Sequence, residues 1–174
     1  EIAMDNYNDV DYIVTNDTLD KLEKDVTDSL DKLTLEYDKV IVLYGSKCHY
    51  RFFEFLKKYD NIITIKPANC LEAIIGDKVV ESYVDGKDIY LTSGWVEKFD
   101  ELNKFSNAVD NYDRLNQFGM YENAIIGDTG IIEITDDMIF ELYEKIQVPV
   151  EVEPVDINIF ENLIIDAIQR AINA

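Results

Sequence analysis

The chain has 174 residues, 47% of them hydrophobic, which is the size and apolar content of a single domain able to build its own core. Its 16 basic and 36 acidic residues give a formal net charge of -20, a balance that repels phosphate backbones and anionic membrane surfaces, so no nucleic-acid partner is expected. No run approaches the ~20 apolar residues of a membrane helix and no leader segment opens the sequence, which leads to the expectation of a cytoplasmic protein with no membrane partner.

The elements follow in chain order. The short β-branched and aromatic run "VDYIV" (10–14) predicts a strand. Leu19, Leu22, Val26, Leu30 and Leu33 recur after it at helical spacing, with Asn16, Asp17 or Thr18 as the cap. The acidic residues between Asp17 and Asp31 form the wet face of that helix. "KVIVLYG" is a continuous apolar run of strand length closed by glycine, as in an interior parallel strand covered on both faces. Phe52, Phe53, Phe55, Leu56 and Tyr59 give a helix, "NIITIKP" a strand stopped by Pro67, and 71–75 a short helix leading to Gly76. "KVVESYVDGKDIYLT" carries a turn signal at Asp85-Gly86 and reads as a small hairpin or a loop excursion. Residues 95–118 read as mostly helical, "NAIIGDTG" as a strand running into a turn, and 135–146 as a helix. "VPVEVEP" is a strand held to a sheet edge by its prolines, and 156–172 a closing helix.

Strands alternating with helices predict the α/β class: an open, mainly parallel, Rossmann-like sheet with helices on both faces, in one domain over 1–174. Ligand crevices of such folds lie beyond the carboxyl ends of strands, where this sequence places "GSKCH", "PANC" and "GDTG".

Cys48, His49 and Cys70 are the sharpest chemical candidates. Two thiolates and an imidazole suit zinc and leave a fourth position open, although the spacing matches no standard zinc signature. The same residues also fit a plainer role, with each cysteine a small half-buried hydrophobe and His49 a helix-start residue. With only two cysteines, far apart, there is no disulfide framework and reduced thiols are expected. Cys48 ahead of a helix is also a candidate nucleophile, its thiolate favoured by the helix N-terminus and by Lys47 or His49. No CxxC and no His-Asp relay accompanies it. In "GDTG", Asp128, Thr129 and Gly130 offer backbone amides and a carboxylate to a polar ligand, or simply a tight turn that needs positive φ. Trp95 in "YLTSGW" stands at a pocket mouth or in the core.

The order "YGSKCH", "NCLEAIIG", "YLTSGW", "IIGDTG" resembles an uncharacterised domain-of-unknown-function family of methanogenic archaea and other anaerobes, often encoded beside corrinoid-dependent methyltransferases. The resemblance runs from about Asp9 to the end. It implies a Cys-His motif at Cys48-His49, an Asn-Cys motif at Asn69-Cys70, a glycine at Gly76, an aromatic-anchored turn at 92–95 and an acidic glycine turn at 128–130. It further implies a preceding strand with another cysteine, which this chain, starting at Glu1, is expected to lack. Where many relatives have glycines after the first cysteine and a histidine two residues before the second, this chain has His49, Tyr50 and Ala68.

Three readings follow. In the first, the protein is an accessory factor of anaerobic corrinoid and methyl-transfer metabolism that binds a metal, zinc among the candidates, through Cys48, His49 and Cys70, or a small ligand through Asn69, Trp95, Asp128, Thr129 and Gly130. In the second, Cys48 is the thiolate acceptor of a transferase. In the third, an acidic, non-catalytic protein docks on a corrinoid protein or methyltransferase. The first predicts that the two sulfurs approach within about 10 Å, roughly two strand spacings, and border the main pocket with Asp128 and Trp95 near its rim.

Overall fold

The computed structural model describes residues 11–13, 21–100 and 118–174. It divides into two compact units, Glu1–Ala73 with Asn158–Ala174, and Ile74–Ile157.

In the first unit α1 (Leu22–Glu36) leads to β1 (Val40–Val42), α2 (Phe52–Leu56) and β2 (Ile62–Thr64). Leu22, Val26 and Leu30, four residues apart, form one buried stripe of α1 against Val40, Val42, Phe52, Phe55 and Leu56. Each such side chain contributes about 1.5–3 kcal/mol on burial. Asn61 donates from Nδ2 to the carbonyls of Thr34 (3.1 Å) and Tyr37 (2.9 Å), which satisfies helix-end acceptors left open by the α1 terminus. β1 and β2 pair in parallel, Val40 opposite Ile62 and Val42 opposite Thr64. The segments that follow them therefore leave the same end of the sheet.

α3 (Cys70–Ile75) begins in this unit, and the closing helix, labelled α7 (Asn158–Asn173), returns to it. Arg170 of α7 donates from Nη2 to the Thr64 carbonyl at 3.0 Å, tying that helix to β2.

The second unit holds α4 (Asp77–Asp85), β3 (Asp88–Thr92), α5 (Ser93–Glu97), β4 (Asn123–Asp128), α6 (Asp136–Ile146) and β5 (Val150–Pro154). Its sheet has the order β3-β4-β5, all parallel. Central β4 is buried on both faces, Ala124 and Ile126 completely, while β5 takes the edge that its prolines suit. Leu91, Phe99, Phe118, Ile126, Leu142 and Ile146 fill the core of this unit.

Both sheets are open and all-parallel with helices around them, the α/β class expected from the sequence. The hairpin or loop expected over 78–92 is instead helix α4 followed by β3, which pairs with β4 rather than folding back on itself. The valines of "KVVESYV" are β-branched, yet only one helical face is covered. Val79 is fully buried, Val84 is 88% exposed, and Gly86 ends the helix at φ 67°. The strand expected at 10–14 is irregular over 11–13, and its ends lie outside the described residues, as do the proposed caps Asn16, Asp17 and Thr18. Of the helical stretch expected over 95–118, residues 95–100 and 118 are described and are mostly helical, α5 among them, and the rest lies outside the described residues. Among the described residues no helix is long and apolar enough to cross a membrane.

Candidate functional site

The loops after β1 and β2 lock together. Lys47 donates its backbone N–H to the Ala68 carbonyl at 2.7 Å, and the Lys47 ammonium reaches Glu72 at 3.3 Å. Gly45 lies so close to the backbone of Ala68 and Asn69 that a Cβ there would overlap their atoms. The Glu72 carboxylate accepts the Ala68 N–H at 2.7 Å, while Asn69 Oδ1 accepts the Glu72 N–H at 2.9 Å. This reciprocal arrangement caps the start of α3 and fixes Cys70 as its first residue.

Cys48 sits within this lock. Its thiol takes hydrogen bonds from the backbone N–H groups of Gly45 and Cys70, so the two cysteines meet across the loops. Neither forms a disulfide; Cys48 is half-buried and Cys70 exposed. Burial pushes the Cys48 thiol up, outweighing the two N–H donors that pull it down. This favours the neutral thiol and works against an activated nucleophile. Cys48 also lies in a turn ahead of α2, which starts only at Phe52, so no helix N-terminus acts on it directly.

His49 turns elsewhere. Its Nδ1 accepts the Arg51 N–H at 3.2 Å, its Nε2 lies 3.8 Å from Glu23 of α1, and its ring meets Phe55 edge-on at 5.7 Å. Among the described residues no three His, Cys, Asp or Glu side chains gather into a group able to hold a metal ion. Asn69 acts as a cap, its side chain engaged by Glu72.

Trp95, Asp128, Thr129 and Gly130 belong to the second unit. Parallel pairing sets Thr92 opposite Gly127, so the Trp95 turn and the "GDTG" turn follow neighbouring strands. The Asp128 carboxylate accepts the Gly130 N–H at 2.8 Å and Gly130 has φ 73°, the self-bonded tight turn that needs glycine. Trp95 is 39% exposed, with its N–H received by the Thr92 hydroxyl at the start of α5.

The first unit also contains a cavity of about 410 Å³ between α1, β1 and α7, walled by Leu30, Leu33, Val40, Leu43, Ile164 and Ile168. Neither cysteine lines it. The Cys48 thiol therefore meets the Cys70 backbone away from this cavity, whereas the sequence led to the expectation that both sulfurs border the main pocket.

The family model of DUF1638, a protein of unknown function, matches residues 14–164. The chain belongs to the DUF1638 family. No curated protein and no solved structure matches it. In this DUF1638 member Cys48, His49, Asn69, Cys70, Trp95, Asp128, Thr129 and Gly130 all fall inside the matched stretch. Sequence reasoning missed Glu72 and Gly45, which bind the two loops of the DUF1638 chain together. Glu72 had a signal, since Asn69 followed three residues later by Glu72 is the spacing of a capping box. Gly45 had only its place at the end of a strand.

Proposed function

We propose that this protein is a ligand-binding accessory factor whose paired strand-end loops present Cys48 and Cys70 to a soft metal ion or a small thiol-seeking ligand. The observation that carries this is the Cys48 thiol seated on the Cys70 N–H, which brings together two residues otherwise separated by α2 and β2. Soft thiolates favour zinc or monovalent copper over hard cations. A third ligand from His49 requires its imidazole to leave Glu23 and the Arg51 N–H, so the two thiols form the primary set. The sequence resemblance described above supports a setting in anaerobic methyl-transfer metabolism, with a corrinoid protein or methyltransferase as partner.

Metal must displace the proton that burial holds on Cys48, so affinity falls as pH is lowered. Elemental analysis of protein purified without chelator, beside Cys48→Ser and Cys70→Ser, tests the metal form. Stoichiometric metal in the parent and its loss in both variants is the expected outcome. Metal absent from every preparation, including one supplied with zinc, removes it.

A further inference from the structure

We infer that Cys48 and Cys70 are a reversible dithiol couple that closes to an intramolecular disulfide across the loops after β1 and β2 when met by a low-molecular-weight disulfide such as oxidised glutathione.

Three observations converge on this. The Cys48 thiol already touches the backbone of Cys70. The backbones that carry the two residues are held together independently of the sulfurs, by the Lys47 N–H on the Ala68 carbonyl, by the close approach at Gly45 and by the Lys47–Glu72 ion pair. A disulfide needs Cα atoms roughly 4.4–6.8 Å apart with the Cβ atoms facing. The loops are bonded to each other one residue before Cys48 and two before Cys70, which holds the two backbones close, and the inference is that the side chains can turn into that geometry. The pair is also asymmetric in the way that dithiol exchange uses: Cys70 is exposed and Cys48 half-buried.

The steps balance. The Cys70 thiolate attacks one sulfur of oxidised glutathione, forming a mixed disulfide and releasing one glutathione thiolate. Cys48 then loses its proton to solvent and attacks the Cys70 sulfur, releasing the second glutathione thiolate. Two protein thiols have given up two protons and two electrons, and one glutathione disulfide has become two glutathione molecules. Burial of Cys48 keeps it from reacting first, and its position against Cys70 makes it the resolving thiol. Closure consumes both thiols of the site proposed above, so oxidation and metal loading exclude one another. That coupling rests on the ligand-binding reading, whereas the dithiol chemistry does not.

The test treats the full chain with excess oxidised glutathione, traps remaining thiols with iodoacetamide, and reads intact mass and a tryptic map. The expected result is loss of two hydrogens with no lasting glutathione adduct, and a cross-link between tryptic peptides 48–51 and 59–78. In Cys48→Ser the adduct on Cys70 accumulates. Stable glutathione adducts on the parent chain, or disulfides only between chains, overturn the inference. Repeating the oxidation with zinc separates the two ideas. Slower closure supports both, and closure at an unchanged rate leaves the dithiol couple standing while removing zinc from the ligand-binding reading.

Discussion

At Gly45 the backbone of one strand-end loop presses on that of the next, at Ala68 and Asn69, and the room a methyl group would need is already occupied by main-chain atoms. Gly45→Ala must therefore push the loops apart, an overpacking change that costs about 1–3 kcal/mol. Urea denaturation reads the loss, and faster alkylation of Cys48 in the variant reports that the lock has opened. Cys48 itself carries a pH signature. Its folded pKa is raised above the unfolded value, so its contribution to stability is intact below the ordinary thiol pKa and is lost as pH rises through the folded one. Stability should accordingly fall on the alkaline side, and Cys48→Ser should flatten part of that fall in melts taken across pH 7–11. The residue types at this site were legible in "GSKCH" and "PANC", because strand-end loops of parallel neighbours share an edge. The direction of His49 was not, since it is set by Glu23 and Phe55 on two helices that only the fold brings beside it.

Among the elements, those with a strong period or a strong cap are the ones that sequence reveals. Helix α6 has Thr135 at its N-cap, accepting the Met138 N–H at 3.3 Å, with Asp136 and Asp137 in its first turn and Lys145 in its last. Thr135→Ala removes the acceptor for an otherwise open N–H and should cost about 1 kcal/mol. Thr135→Ser keeps the hydroxyl and should cost much less, a contrast that thermal melts of the two variants decide. Helix α4 shows the opposite case. Its valines at 79, 80 and 84 carry strand propensity, and Asp85-Gly86 copies a hairpin turn, but the same glycine serves as a left-handed helix stop. Coverage of Val79 alone, with Val80 and Val84 outward, decides for helix, and that coverage is tertiary. The pairing of strands into β1-β2 and β3-β4-β5 is tertiary too, since each parallel partner lies across an intervening helix or longer segment.

For the whole molecule the dominant unbalanced quantity is charge. Even if every one of the 16 basic residues neutralised an acidic one, 20 carboxylates would remain without a cation. Described ion pairs such as Lys78–Glu153 (2.6 Å) and Lys58–Asp31 (2.9 Å) lie at the surface, where solvent screening leaves each contributing little. Added salt weakens those few attractions, but it also screens the repulsion among the excess acids, which acts over the whole surface and opposes compaction. At 0.1 M ionic strength the screening length is already about 10 Å, so most of the long-range repulsion disappears early in a titration. The melting temperature should therefore climb steeply between low salt and about 0.1 M sodium chloride and flatten beyond it, by about 2–4 °C for each kcal/mol of repulsion removed. Melting curves in a sodium chloride series check this. A temperature that falls with salt would mean that the ion pairs outweigh the excess charge, and that the acidity is arranged locally to stabilise the fold.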